Sequence, residues 1–311
     1  MVKINKKYNY KKIFIFIVIF IIIFIIQCIF NNYSFIELFY NENDNIIKQE
    51  SAVVLSHNML GDNITNIGSI NFLTNYYNTI YFICKDVYFE NVNLLFHNKI
   101  INKNIVLVPF KSDNEKENCK TIILDFMKNN LTDIFISGHD HTPYLKSRIT
   151  HPKLLTYVQN DNGYTIEWKH IHDFYYDIGL DLSIYYNYFD IDSSKESKEY
   201  FENIKKYNII FLHTKSSQQE LSLKNIIDKY VNLEDSLIIC ANKNAYENTH
   251  NKYELANKYV NLLVPYYIDI IFNAFEIHVV DSCFSCIIHP LNITKKLKAH
   301  SVNIYDRTYL V

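Results

Sequence analysis

Ser51-Ala52-Val53-Val54-Leu55-Ser56-His57-Asn58-Met59-Leu60-Gly61-Asp62-Asn63 is the stretch that decides the fold. The run at 52–55 is short, apolar and rich in valine, the pattern of a parallel strand covered on both faces of its sheet. A polar turn follows, and residues 63–76 then have the length and periodicity of a helix. Strand, loop and helix in that order make one step of a doubly wound sheet.

The step recurs along the chain. Residues 79–84, 104–108 and 133–136 read as further buried strands, with a helix over 115–129. An irregular stretch from 139 leads into an aromatic run at 174–189 that reads as helical core. The polar cluster at 190–198 then reads as a linker. A second alternation follows, with strands at 209–212, 237–240 and 277–280 and helices at 222–230, 250–259 and 266–274. The expected fold class is therefore α/β, with two Rossmann-like domains at 50–189 and 203–311 joined by a linker at 190–202. A chain of 311 residues is longer than one hydrophobic core usually supports.

Residues 13–30 are almost unbroken Ile, Phe and Val, with Gln27 the strongly polar exception. At ~1.5 Å per helical residue such a run spans about 27 Å, enough for a hydrocarbon core. Lys3, Lys6, Lys7, Lys11 and Lys12 precede it, whereas Glu37, Glu42, Asp44 and Glu50 follow with a single Lys48. The positive-inside rule then predicts a cytoplasmic tail (1–12), a signal-anchor helix (13–30) and a polar stem (31–49). The expected localisation is a single-pass, type II membrane protein with the bulk of the chain across the bilayer. The net charge of −2 gives no electrostatic reason for a nucleic-acid partner. The six cysteines are scattered; Cys283 and Cys286 form a lone C-x-x-C with no second pair to complete a zinc site, and the cysteines read as small buried hydrophobes.

In open parallel sheets ligands bind beyond the carboxyl ends of the strands, so the loops there carry most weight. In the first, Gly61 allows a tight turn and Asp62 opens the next helix, either as a cap or as a functional carboxylate. The second is His213-Thr214-Lys215-Ser216-Ser217, a hydroxyl-rich loop expected to feed a helix N-terminus and so to suit a phosphate, or else to serve as a plain cap. The third is Val280-Asp281-Ser282-Cys283-Phe284-Ser285, a polar turn opening another helix.

Together these three loops resemble those of family 9 glycosyltransferases, the group that includes the lipopolysaccharide heptosyltransferases. Leu60-Gly61-Asp62-Asn63 is similar to the family's N-terminal Gly-Asp motif, 213–217 to its donor-phosphate loop, and His278-Val279-Val280-Asp281-Ser282 to its C-terminal strand–Asp–Ser/Thr motif. The resemblance spans roughly residues 51–306. It implies a GT-B fold, a nucleotide-sugar donor on the second domain, a glycan or other hydroxyl acceptor on the first, and an inverting transfer without metal or cofactor. Asp62 would be the general base, with Gly61 and Asn63 shaping its loop. His213, Thr214, Ser216, Ser217, Asp281, Ser282 and Ser285 would hold the donor. The chain departs from the family pattern at Ser285 and Cys286, where bacterial members carry a His, and at Gln218-Gln219-Glu220, where they carry a basic residue.

Two alternatives stand beside this expectation. Ser137-Gly138-His139-Asp140-His141 resembles the Gly-His-x-His motif of metallophosphoesterases, in which His139 and His141 would bind metal; the companion motifs of that family are absent. A catalytically inert, membrane-tethered binding module is the other. Four N-x-S/T sequons, at Asn32, Asn63, Asn130 and Asn292, are glycan acceptors if this part of the chain is lumenal.

Overall fold

The computed structural model describes residues 49–56, 59–96, 105–128, 132–137, 145–154, 169–217, 219–294 and 296–305. The first half runs β1 (Gln49–Leu55), α1 (Leu60–Thr65), α2 (Ile67–Leu73), β2 (Tyr77–Lys85), α3 (Phe89–Leu95), β3 (Ile105–Phe110), α4 (Glu115–Met127) and β4 (Thr132–Ile136). Three helices follow: α5 (Lys169–Asp177), α6 (Ser183–Tyr188) and α7 (Lys195–Glu202). The second half runs β5 (Asn208–His213), α8 (Lys224–Tyr230), β6 (Ser236–Cys240), α9 (Tyr253–Asn257), α10 (Ile268–Phe272), β7 (Glu276–Val280), α11 (Cys283–Ile293) and β8 (Ser301–Tyr305). Short 3₁₀ turns precede α3 (Asp86–Tyr88), α4 (Ser112–Asn114) and α10 (Val264–Tyr267).

The strands form two four-stranded sheets, ordered β3-β2-β1-β4 and β6-β5-β7-β8. Every pairing in both is parallel. Both sheets lie in one compact unit, Lys48–Val311. The central strands explain why the apolar runs were so short and so complete. Ala52, Val53, Val54 and Leu55 are fully shielded from solvent, as are Ile210, Phe211 and Leu212. Each such large aliphatic or aromatic side chain contributes about 1.5–3 kcal/mol through burial.

Four features differ from the sequence expectation. The single helix expected over 63–76 is two, parting at Asn66. The Asn66 side-chain amide donates to the Asp62 carbonyl and to Ser56 Oγ, both at 3.0 Å, so a side chain competes with the backbone ladder there. The aromatic run is likewise two helices. Gly179 takes φ 68°, and the Gly179 and Leu180 amides return to the carbonyls of Tyr176 and Tyr175, the paired bonds that close a helix through a left-handed glycine. The stretch expected as a linker contains α7, capped by Ser194 and docked on α10 by the Asp269 amide donating to Ser197 Oγ at 2.8 Å. Finally, β8 adds a fourth strand to the second sheet.

α11 leaves the second sheet and packs against the first half. The Cβ that Gly61 lacks would stand 3.4 Å from Cys286 Sγ and 3.6 Å from Cys283 Cα. Tyr185 of α6 donates its hydroxyl to the Cys286 carbonyl at 3.1 Å. Among the described residues no helix is long and apolar enough to cross a membrane. The expected anchor at 13–30 lies outside them.

Candidate functional site

In each sheet the strand order reverses at one point, between β1 and β4 in the first and between β5 and β7 in the second. Loops diverge there and leave a crevice at the carboxyl ends of the strands. In the second sheet three of the predicted residues stand at those strand ends. His213 ends β5, and Asp281 and Ser282 follow β7. His213 Nδ1 and Ser282 Oγ are 3.0 Å apart, a hydrogen bond across the switch point. Phe284 packs on the His213 ring with centroids 4.7 Å apart. Burial pushes the His213 imidazole down to about 4, so it is neutral near pH 7.

Ser282 is also the N-cap of α11, its Oγ accepting from the Phe284 amide at 3.3 Å. Ser285 closes the reciprocal bond. Its Oγ accepts from the Ser282 amide at 3.0 Å and lies 2.8 Å from Asp281 Oδ1. Asp281 is thus braced immediately before the N-cap of a helix whose N-terminal partial charge favours anions.

The loop after β5 differs from expectation. It does not feed a helix; it doubles back, with an antiparallel bridge between Lys215 and Glu220, and α8 begins only at Lys224. Ser216 and Gln219 close the turn, the Ser216 amide donating to the Gln219 carbonyl at 2.8 Å. Ser217 is exposed at its tip and Ser216 half-buried. Thr214, expected on the donor side, is fully buried behind the loop; its amide donates to Asn242 Oδ1 at 2.9 Å and its Oγ1 accepts from Asn242 Nδ2 at 3.0 Å. Its place is that of a brace.

Across from α11 stands α1. Asp62 is the third residue of that helix and nearly buried, and its Oδ2 accepts from the Met59 amide at 3.0 Å. The carboxylate therefore does cap the helix start. Its helix meets the second half through the preceding residue, Gly61, which lies against Cys283 and Cys286 of α11. Burial above all raises the Cys286 thiol, a hydrogen bond with Thr65 acts against that, and the carboxylates of Asp281 and Asp62 raise it further. Cys286 thus sits within electrostatic reach of both acids. Gly61 is helical and not in a tight turn; it lies where α1 meets α11, and a Cβ there would stand in ordinary contact with Cys286 and Cys283. Asn63 is buried, donating to the Met59 carbonyl at 2.8 Å, so a glycan there does not fit the folded chain.

Sequence reasoning passed over Asn242, and took Cys286 for a small buried hydrophobe with no place beside the site. Asn242 lies just past the carboxyl end of β6, so the strand-end rule applied to every strand would have flagged it. The five described cysteines are free, with Cys84, Cys119 and Cys240 buried. His139, His141, Asn32 and Asn130 lie outside the described residues. Among the described residues, no group of three or more His, Cys, Asp or Glu is arranged to hold a metal ion.

No protein-family model matches the chain, and no curated protein matches it in sequence. Among solved structures, its fold is similar to that of a glycosyl transferase family 9 protein from Veillonella parvula, with a TM-score of 0.51 and 12% identity over 84% of this chain and 88% of that one. An ADP-heptose LPS heptosyltransferase II from E. coli is similar with a TM-score of 0.48 and 9% identity, covering 82% and 89%. At these identities the likeness is one of fold.

Proposed function

We propose that the protein is a glycosyltransferase that moves a sugar from a nucleotide-sugar donor to a hydroxyl of a glycan or other acceptor. One observation carries this reading. The switch-point crevice of the second sheet gathers His213, Asp281, Ser282 and Ser285, and the helix that carries Asp62 packs at Gly61 against Cys283 and Cys286 beside it. The acceptor hydroxyl gives its proton to the Asp62 carboxylate while its oxygen bonds to the anomeric carbon. The anomeric bond to the diphosphate breaks on the opposite side, and the nucleoside diphosphate leaves with the electron pair, so the centre inverts. The partial positive charge at the start of α11, with Ser282 and neutral His213, holds the leaving anion without a metal. Ser216 and Ser217 add hydroxyls from the facing turn, and Thr214 and Asn242 keep that turn in place. The same reading keeps 13–30 as a single-pass anchor, N-terminus in the cytoplasm.

Thermal unfolding of the full chain with UDP-, GDP-, ADP- and CMP-sugars, each with and without Mg²⁺, tests the reading. One of these should stabilise the fold without metal, by about 2.7 kcal/mol at a hundredfold excess over Kd. No stabilisation by any, in either condition, would overturn it.

A further inference from the structure

A second surface adjoins Asp62 on the first sheet. Met59, whose amide is bound by the Asp62 carboxylate, leaves its side chain 46% exposed. From the neighbouring strand end, the Tyr88 hydroxyl reaches Met59 Sδ at 3.7 Å. Val87, beside Tyr88, is 62% exposed. Asp86, the one charge in that turn, is folded back on the Val87 amide at 2.8 Å. Three residues beyond Tyr88, Asn91 Oδ1 accepts the Val264 amide at 2.9 Å, tying the start of α3 to the second half. Met59, Tyr88, Asn91 and Val264 therefore trace one wall, from the proposed base to the second half of the molecule. Next to the carboxylate that wall offers a thioether, an aromatic ring and a valine.

We propose that Met59 and Tyr88 form the platform on which the acceptor's pyranose ring lies. A pyranose has an apolar C–H face and a rim of hydroxyls. Laid with its C–H face on the electron-rich Tyr88 ring, it covers exposed apolar surface while a rim hydroxyl reaches Asp62. An acceptor without a ring of this kind, such as a serine hydroxyl, leaves the platform bare. The assignment rests on the glycosyltransferase reading for Asp62, but the platform itself is tested separately.

Saturation-transfer NMR on the full chain uses methyl β-D-glucoside, methyl β-D-galactoside and methyl α-D-mannoside as probes. At least one should receive saturation at its ring C–H protons from the wild-type protein. Tyr88→Phe, which keeps the ring, should retain that signal within about twofold, and Tyr88→Ala should lose it by about fivefold or more. Thermal shifts with the nucleotide sugars, measured on the same samples, should be equal in all three proteins. Absence of transfer to every probe, an unaffected Tyr88→Ala, or equal loss in both variants overturns the platform even where a nucleotide binds. Ring-dependent sugar contact without nucleotide binding leaves the platform standing and removes the transferase reading.

Discussion

His213 and Ser282 face each other across the crevice between β5 and β7, Nδ1 to Oγ, at 3.0 Å. Ser282 has one O–H and two lone pairs to distribute. Its Oγ lies 3.1 Å from the Val280 carbonyl and accepts from the Phe284 amide. With the hydroxyl proton on that carbonyl, the second lone pair takes the imidazole Nδ1–H. His213 is then a neutral imidazole with its lone pair on Nε2, and three elements of the crevice hang on one hydroxyl.

Stability should depend on pH through His213. Its folded-state value of about 4 lies below the ordinary 6.5, so the unfolded chain takes up the proton first. The contribution is complete above about pH 6.5 and is lost as pH falls towards 4, by about 3 kcal/mol at most. Denaturant titrations between pH 4 and 7 should show a shallower acid loss in His213→Phe than in the wild type. Identical slopes would mean the imidazole is not buried as described.

Asp62→Asn keeps an oxygen for the Met59 amide and removes the base. Transfer should fall by about 10²–10⁴-fold, while unfolding and nucleotide affinity stay close to wild type. A loss under threefold, in a rate assay with a donor found by thermal shift, would leave Asp62 as a helix cap alone.

Asp281→Ala should weaken nucleotide binding by roughly 1–3 kcal/mol in calorimetry, as expected for a lost charged hydrogen bond. Ser285→Ala, which frees the Asp281 carboxylate from its brace, should weaken it by less. Thr214→Val should instead cost stability, because the Asn242 Nδ2 group loses the hydroxyl that accepts from it, while the Thr214 amide still reaches Asn242 Oδ1. Unchanged affinity in both Asp281→Ala and Ser285→Ala would move the donor elsewhere.

Two glycines should respond to alanine very differently. A Cβ on Gly68 would meet the Tyr175 hydroxyl at 2.7 Å and the Ile184 carbonyl at 3.0 Å, so Gly68→Ala should destabilise by about 1–3 kcal/mol. On Gly61 the nearest atom is Cys286 Sγ at 3.4 Å, and alanine is the better helix former. Gly61→Ala should therefore shift stability by less than about 1 kcal/mol. Chemical denaturation of both variants decides, and a Gly61 effect as large as that at Gly68 would show that α1 and α11 pack more tightly than described.

Seven of the eight strands were legible because a central parallel strand is buried on both faces, and that burial writes an unbroken apolar run such as 52–55 into the chain. β8 escaped notice for the same reason reversed. Among the described residues it pairs only with β7, its side chains are exposed or half-buried, and Asn303 interrupts its pattern.

The α/β alternation, the loops in which polar residues follow strands, and the carboxylates and hydroxyls in those loops can be read along the chain alone. These are local properties, set by burial and by neighbours a few residues apart. What each of those residues touches follows from the packed fold. Gly61 reads as a turn until α11, more than 200 residues later, is laid against it. Thr214 reads as a ligand until Asn242 occupies it from the next strand end. Asp62 reads as a plain cap until the helix that carries it is found packed, at Gly61, against the start of α11. Such pairings join positions far apart along the chain, and no periodicity encodes them; they follow from which surfaces meet once both sheets are formed.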